Sequence, residues 1–297
     1  MRKTKRITTA LVGIVSLAVL ASSCRSLVLE DRTPCPAFVR VEAIPPINPK
    51  TWERLGISVW EDGVEKDRHT VTVYELNRGY YIEAKKNSYF EASLLGGWPE
   101  EWMESDYLHI PEGSECPEGV GAYFGMEIGT DEIYYAPLEL TYLYTNVVLR
   151  ARGASAGYDF KMTVDGVVDG FQYPGSGLHY GPFHAEAREV EYLRREVRIP
   201  RQVPFKEITR AGVVQETDAL AALKADIFVK NEALGSFTHY LAIPLGKIIS
   251  DSGYDWSTAQ LEEIVVDLEM FEESIMSATV RIAGWTVVLQ GDEGITI

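Results

Sequence analysis

Cysteine is scarce in this chain, with three residues among 297, at positions 24, 35 and 116. No two of them have the Cys-x-x-Cys spacing of a zinc or redox site. The chain also lacks a glycine-rich phosphate loop and the Gly-x-Ser-x-Gly turn that carries the nucleophile of many hydrolases. The chain therefore carries none of these common sequence signatures of nucleotide binding, thiol chemistry or serine hydrolysis.

Recognisable metal-binding patterns are missing as well. His179 and His184 share one stretch, but they are five residues apart rather than at the i, i+4 spacing of a helical zinc site. A calcium-loop pattern that starts at Asp251 fails because Trp256 stands where the loop needs a glycine. We therefore predict no metal and no cofactor. An acidic protein without a recognisable site is more often a binding or assembly protein than an enzyme. An exported hydrolase is kept as a further alternative.

Positive charge is also in short supply. Lysine and arginine number 28 against 44 aspartates and glutamates, which gives a formal net charge of −16. Nucleic-acid binding needs patches of Lys and Arg to neutralise phosphates, so this class of partner is not expected. Net charge also maintains solubility, and this plainer explanation accounts for most of the acidity.

Only one long apolar run is present, and it lies at the N-terminus. Arg2, Lys3, Lys5 and Arg6 precede an apolar stretch from Ile7 to Leu20, which is shorter than the roughly 20 residues of a membrane span. It fits a secretory signal peptide. The small residues of 21–23 then stand directly before Cys24, an arrangement that resembles a bacterial lipobox.

We predict that residues 1–23 are a lipoprotein signal peptide and that acylated Cys24 is the first mature residue. Removing residues 1–23 removes four basic and no acidic residues, so the net charge changes from −16 to about −20. The alternative is an ordinary signal peptide in which Cys24 is incidental. Beyond the signal, we expect a soluble body that is held to the membrane only at its N-terminus.

Most of the remaining chain alternates between apolar and polar residues, the pattern of half-buried strands. The clearest run is Tyr158–Asp165, and Phe38–Ile44 and Leu223–Lys230 show the same period. Little of the chain has helical spacing. The sequence therefore predicts an all-β protein built from sandwiches.

Several local signals are weaker. Asn77-Arg78-Gly79 predicts a hairpin turn between strands at 70–74 and 80–84. Residues 171–184 are typical of a long loop. Ser257–Gln260 is a capping-box pattern that favours a short helix, and the charged stretch Ala185–Arg198 is compatible with another.

A break in the strand pattern at residues 129–136 suggests a domain boundary. We predict a tether at 24–36, an N-terminal sandwich at 37–135 and a C-terminal sandwich at 136–297. Cys35 and Cys116 remain if Cys24 is acylated. Export permits a disulfide between them, and two free thiols are the equal alternative.

Several motifs together resemble one family. Cys24 is followed by Glu30–Pro36 and at once by a strand, and later come Asn146–Arg150, Gly166–Gly170 and the closing Val280–Val288. In this order they resemble the FimB-type fimbrial anchor lipoproteins of Bacteroides-group bacteria. The resemblance covers nearly the whole chain, and Glu30–Pro36 after a lipid-modified cysteine is its most specific part.

The resemblance implies two tandem transthyretin-like β-sandwiches and a surface-exposed lipoprotein of the outer membrane, at the base of a type V pilus. Its partners would be the membrane, through acylated Cys24, and the fimbrial stalk subunits. In that family the C-terminal strand of one subunit fills a groove in the next, so main-chain hydrogen bonds provide the affinity.

The closing stretch Ala278–Leu289 with its tail is the natural donor strand here, and its candidate residues are Val280, Ile282, Trp285, Val287 and Leu289. The tail after Leu289 is short and polar, so the terminal strand has the alternative role of completing its own sandwich. Arg25 and Arg32 are potential protease sites, and an anchor should resist cleavage at both.

A second interpretation is a surface lipoprotein that binds glycans or host ligands by stacking them on aromatic loops. The candidate side chains are Trp98, Trp102, Phe171, Tyr173 and Tyr180. Tryptophans in such a loop more often cover the edge of a core, which is the simpler explanation for Trp98 and Trp102.

Overall fold

The computed structural model describes residues 35–104, 106–152, 160–190, 194–203, 216–231, 235–271, 274–282 and 285–290. The predicted signal peptide, Cys24, residues 25–34 and the tail 291–297 lie outside these ranges. Within them, no helix is long and apolar enough to cross a membrane.

The first part of the chain forms two facing sheets, which we call the N-terminal sandwich. One sheet has three strands in the order β4-β1-β8, and the other has five in the order β3-β2-β5-β7-β9. The strands are β1 (Ala37–Ala43), β2 (Arg54–Glu61), β3 (Val64–Thr72), β4 (Tyr80–Ala84), β5 (Ser88–Gly96), β7 (Val120–Ile128), β8 (Ile133–Leu138) and β9 (Thr141–Tyr142).

The second part forms the C-terminal sandwich, again from two sheets. One has the order β13-β10-β16-β17-β18, and the other has the order β12-β11-β14-β15 with β6 added to β11. The strands are β6 (Tyr107–His109), β10 (Tyr144–Arg152), β11 (Phe160–Gln172), β12 (Leu178–Val190), β13 (Arg194–Pro200), β14 (Lys224–Asn231), β15 (Ser236–Ile243), β16 (Ile264–Phe271), β17 (Ser274–Ile282) and β18 (Trp285–Gln290).

Helices are short and few in the described ranges: α1 (Val73–Leu76), α2 (Glu216–Ala221), α3 (Leu245–Asp251) and a 3₁₀ turn at Glu100–Trp102. Alternation explains the strands, since β1 buries Ala37, Val39, Val41 and Ala43 and turns the residues between them outward. The prediction of an all-β chain with two β-sandwiches is confirmed.

Each sandwich has its own hydrophobic core. The first consists of residues between Ala37 and Leu138. The second runs from Leu143 to Ile282 and also takes in five residues from earlier in the chain: Trp60, Trp98, Leu108, Ile110 and Cys116. The division between residues 135 and 136 stays a prediction, since five residues that precede it pack in the second core.

Residues 97–119, here named the crossing segment, carry most of that contribution. The strand β6 within it pairs antiparallel with β11, with His109 opposite Gly170. The approach is so close that a Cβ at Gly170 would lie 1.9 Å from the carbonyl oxygen of Leu108. Only glycine fits at position 170, so the pairing of β6 with β11 requires a residue without a side chain there.

A residue of the C-terminal sandwich also packs against the N-terminal sandwich. Tyr173, just after β11, packs edge-on against Trp60 with ring centroids 5.4 Å apart. Its hydroxyl donates to the Ser58 hydroxyl at 2.6 Å, and both residues are buried. The two sandwiches therefore interlock through side chains as well as through β6.

Arg201 lies at the same junction and is 1% exposed. Its guanidinium donates to the Tyr142 carbonyl of β9 at 3.1 Å, to the Thr258 carbonyl at 2.7 Å and to the Trp256 carbonyl. Burial lowers the pKa of Arg201 to about 10. One buried cation thus connects an N-terminal strand with a C-terminal turn.

Two local predictions around residue 75 were wrong. The predicted strand 70–74 ends at Thr72, because Thr72 and Glu75 form a capping box that starts α1. Asn77-Arg78-Gly79 then leads into β4, which pairs with β1 instead of forming a hairpin with β3.

Three later predictions were also wrong. The stretch 185–198 contains β12 and β13 rather than a helix, and β12 already begins at Leu178 inside the predicted loop. No helix begins at Ser257. Its amide and hydroxyl bond to Asp255 Oδ1 at 2.8 and 2.6 Å, so the capping side chain serves a turn instead.

Candidate assembly edge

The prediction of one terminal strand over 278–289 is wrong, because this stretch contains parts of two antiparallel strands, β17 and β18. Val280 and Ile282 are on β17, and Trp285, Val287 and Leu289 are on β18. The register places Val280 opposite Val287 and Ile282 opposite Trp285. The structure therefore brings the predicted set together at the C-terminal end of the described chain.

The inner face of this hairpin belongs to the second core. Ala278 and Val280 are fully buried, and their partners Leu289 and Val287 are only half-buried. The last strand thus completes the C-terminal sandwich with weaker packing than β17. Its tail, 291–297, is outside the described residues.

The outer margin of β18 is an exposed sheet edge. β18 ends its sheet, and among the described residues no strand pairs with its other side. Val288 faces outward and is 58% exposed. An edge strand presents a row of unpaired N–H and C=O groups, which is a ready template for another strand.

The N-terminal sandwich has the opposite arrangement at the start of the chain. β1 lies in the middle of its sheet, antiparallel to β4 and parallel to β8. Val39 and Val41 are fully buried. The groove between β4 and β8 is therefore occupied by the chain's own strand.

The aromatic side chains proposed to bind glycans are mostly inside the protein. Trp98 is 7%, Phe171 0% and Tyr173 5% exposed. Trp98 packs edge-on against Phe171 at 5.9 Å, and Trp102 is half-buried against the same core. Tyr180 is exposed. The explanation that the tryptophans cover a core edge is confirmed, and the stacking surface predicted from the first three does not exist.

Cys35 and Cys116 are both free in the structure, the first exposed and the second buried. The Cys116 thiol lies 3.8 Å from the Leu143 carbonyl oxygen, and burial raises its pKa. The disulfide left open by the sequence is therefore not formed in this structure.

Histidine–aspartate pairs are frequent in the C-terminal sandwich. His179 Nδ1 lies 2.6 Å from Asp169, and His184 Nδ1 lies 2.6 Å from Asp165. Among the residues that the structure describes, no group of three or more His, Cys, Asp or Glu is arranged to hold a metal.

Sequence reasoning missed the crossing segment and Arg201. The segment's only local signal is the alternation in Tyr107-Leu108-His109, which is too short to predict a strand. Arg201 directly follows Pro200 at the end of β13, and nothing in its neighbours signals burial.

No known family model and no curated protein matches the chain. Solved structures do match. The fimbrial anchor protein Mfa2 of Porphyromonas gingivalis superposes with a TM-score of 0.57 at 11% identity, covering 86% of this chain and 100% of that one. A candidate polysaccharide-binding protein of Bacteroides thetaiotaomicron gives 0.56 at 10% identity, over 86% and 99% of the two chains. A candidate adhesin of Bacteroides ovatus gives 0.53 at 10%, over 86% and 96%.

At these identities the likeness is one of fold. The chain has the two-sandwich fold of a fimbrial anchor protein over nearly its whole described length. The resemblance inferred from the sequence motifs is therefore confirmed at the level of the fold.

Proposed function

We propose that this chain is a non-enzymatic, lipid-anchored subunit at the base of a fimbria. Residues 1–23 would be a signal peptide, and acylated Cys24 would hold residues 24–36 as a tether at the outer membrane. The sandwiches 37–135 and 136–297 would form the scaffold, and the chain would join the first stalk subunit by strand addition.

The observation that carries this proposal is the exposed edge of β18 in a chain with the fold of a fimbrial anchor protein. The edge lies at the opposite end of the sequence from Cys24. Because β1 already fills the middle of its sheet, the N-terminal sandwich leaves no internal strand position open among the described residues. In this proposal the N-terminal end of the chain attaches to the membrane, and the C-terminal strand β18 contacts the stalk subunit.

The test of the assembly edge compares two valines. Val288 on β18 and Val64 on β3 are each 58% exposed, and both strands end their sheets. We expect Val288→Lys to reduce the amount of stalk subunit crosslinked to this chain in intact envelopes by about tenfold, which corresponds to roughly 1.4 kcal/mol of binding. Val64→Lys should leave it unchanged. Equal amounts of crosslinked stalk subunit in the two variants would reject β18 as the assembly edge.

The anchor is tested separately by Cys24→Ala. One acyl chain binds membranes only marginally, whereas a multiply acylated cysteine holds a protein firmly. The variant should therefore move from the membrane fraction to the soluble fraction after export. Retention at wild-type level in the membrane fraction would show that Cys24 is not the anchor.

A further inference from the structure

The outer face of the three-stranded sheet β4-β1-β8 carries a group of exposed aromatic and apolar side chains. β1 turns Phe38 and Arg40 outward, and its pairing with β4 and β8 sets Tyr81, Ile133 and Tyr135 beside them. Phe38, Tyr81, Ile133 and Tyr135 are 41–62% exposed, and we name these four residues the aromatic face. Single exposed apolar residues are ordinary, but a contiguous group marks an interaction surface.

The side chains of this surface are ordered along β1. In the first row, Phe38 of β1 lies opposite Ile133 of β8. In the second row, Arg40 lies between Tyr81 of β4 and Tyr135 of β8. The surface is therefore most apolar where β1 begins, and it becomes amphipathic two residues further along the strand.

Arg40, at the centre of the second row, is neutralised and held against the sheet. One of its guanidinium nitrogens lies 2.6 Å from the Glu42 carboxylate and 3.4 Å from the Arg78 carbonyl oxygen. The centre of the guanidinium lies 5.8 Å from the centre of the Tyr135 ring. A Cβ at Gly79 would lie 2.2 Å from Arg40 Nε, so the side chain lies directly over the backbone there. Arg40 thus adds no unbalanced charge to the aromatic face.

The apolar row is also close to the point where the predicted tether joins the fold. Ala37 begins β1, and the 13 residues 24–36 connect it to Cys24. A chain of this length spans at most about 45 Å when extended and roughly 20 Å on average when flexible. A membrane that holds Cys24 is therefore within reach of Phe38 and Ile133.

The order of the two rows matches the depth profile of a membrane interface. Phenylalanine and isoleucine favour the acyl boundary, whereas tyrosine and arginine keep their polar tips among the head groups. The tether provides a second argument, because it keeps lipid at a high effective concentration near the aromatic face, so a weak contact suffices. The membrane surface is therefore the partner that the position of the tether favours.

The charges around the aromatic face select the kind of lipid. Glu83 lies opposite Phe38, and Asp131 and Glu132 directly precede Ile133. These carboxylates, in a chain whose net charge after signal removal is about −20, are repelled by an anionic surface. The contact therefore depends on apolar burial and suits neutral lipid.

We propose that the aromatic face rests on the membrane that holds Cys24, with Phe38 and Ile133 in the interface and Tyr81 and Tyr135 at the head groups. This inference rests on the proposed anchor and deepens it. The acyl group holds the chain at the membrane, and the aromatic face determines which side of the N-terminal sandwich is turned toward the lipid.

The experiment is cosedimentation of the purified mature chain carrying Cys24→Ala with phosphatidylcholine vesicles. About 1 mM lipid detects binding as weak as that of a single acyl chain. We expect the chain to bind these vesicles, and to bind more weakly when half of the lipid is phosphatidylglycerol. The absence of binding to phosphatidylcholine, or stronger binding to the anionic vesicles, would overturn the proposal.

A double variant locates the contact. Phe38→Ser with Ile133→Ser should lower the association constant for phosphatidylcholine vesicles about tenfold, because both apolar side chains of the first row are lost. The matched control is Tyr180→Ser with Val64→Ser, which removes one aromatic and one aliphatic side chain that are 60% and 58% exposed on other strands. Urea midpoints confirm that both double variants fold. Equal losses of binding in the two would reject the aromatic face.

A third variant changes binding in the opposite direction. Ile133→Trp places the side chain that membrane interfaces favour most in the first row, so it should raise the association constant about fivefold. An unchanged or lower constant would contradict the proposal. Sedimentation without lipid tests for a second copy of the chain as the partner: a dimer that the Phe38→Ser, Ile133→Ser variant abolishes would assign the face to self-association instead.

These measurements are separate from the test of the anchor. The vesicle experiment uses a chain without lipid, so its result does not depend on whether Cys24 is acylated. Binding through the aromatic face alone is reversible and is lost on dilution, so Cys24→Ala should still leave the membrane fraction of cells. Release of that variant from cell membranes, together with no binding to vesicles, would reject the aromatic face and leave the anchor in place.

Discussion

The two ends of the described chain are built in opposite ways. β1, near the N-terminus, is hydrogen-bonded on both sides, and its four inward residues are at most 2% exposed. β18, near the C-terminus, is bonded to β17 alone among the strands that the structure describes, and its inward residues Val287 and Leu289 are half-buried. β1 is paired on both sides within its sheet, whereas one side of β18 is open to pairing with another strand.

This difference assigns separate tasks to chemically similar strands. Both are short runs that contain β-branched and aromatic residues, so propensity does not distinguish them. Their positions within their sheets distinguish the two strands. A central strand contributes to stability, whereas an edge strand keeps part of its hydrogen-bonding capacity for another chain.

The largest effect should come from the junction that holds the two sandwiches together. Arg201→Ala leaves the carbonyls of Tyr142, Trp256 and Thr258 without their donor, so the free energy of unfolding should fall by about 3 kcal/mol or more. Urea denaturation measures the change. Arg194→Ala, at an exposed ion pair with Glu196, should change it by less than about 0.5 kcal/mol. Equal losses would mean that Arg201 is not a structural centre.

The next effect compares the closed and available strands directly. Val41→Ala removes buried methyl groups from β1 and should cost about 2 kcal/mol. Val287→Ala makes the same chemical change on half-buried β18 and should cost less than about 1 kcal/mol. The two midpoints of urea denaturation, measured side by side, decide this. A larger loss at Val287 would contradict the difference in packing.

A smaller effect tests the interlock between the sandwiches. Tyr173→Phe removes the hydroxyl that donates to Ser58, and the buried Ser58 hydroxyl loses its partner. We expect a loss of about 1 to 2 kcal/mol in the free energy of unfolding. The control Tyr180→Phe removes the hydroxyl of a tyrosine that is 60% exposed and should have no measurable effect. Thermal or urea unfolding gives the comparison.

The smallest effect depends on pH and belongs to the C-terminal sandwich. Burial works to raise the pKa of Asp226, but hydrogen bonds from Lys224 and His239 outweigh it and hold the pKa below the ordinary 3.8. A lowered pKa of an acid stabilises the fold above its ordinary value, and this contribution disappears as pH falls through the folded value.

Asp226→Asn should therefore cost about 0.5 to 1 kcal/mol at pH 7, since Lys224 and His239 are half-exposed. The difference from wild type should shrink toward zero below about pH 3.8. Urea denaturation at several pH values checks this, with the exposed Asp131→Asn as control. A difference that stays constant down to low pH would show that the carboxylate charge is not responsible.

Local patterns were sufficient to predict the fold class and the extended character of the closing stretch, but not its division into β17 and β18. Alternation over Phe38–Ile44 reports burial on one face, and burial is a local property of a strand. The two-sandwich architecture followed from the number and spacing of such runs. These features required no knowledge of which strands are neighbours.

What sequence reasoning missed depends on contacts between distant residues. β6 is a strand only because β11 lies beside it, and its three residues would not be extended by their own preference. Strand pairing overrode the helical interpretation of residues 185–198 in the same way. The aromatic face brings together residues from three separate strands, so no single stretch carries its signature.

The parallel pairing of β1 with β8 also bears on mechanical strength. A chain that is held at Cys24 and loaded at its far end transmits tension into Ala37 and along the axis of β1. The hydrogen bonds to β4 and β8 lie across that axis on both sides, so tension shears them together rather than opening them one after another. If the proposed tether carries load, the central position of β1 would therefore resist forced unfolding where that tether meets the fold.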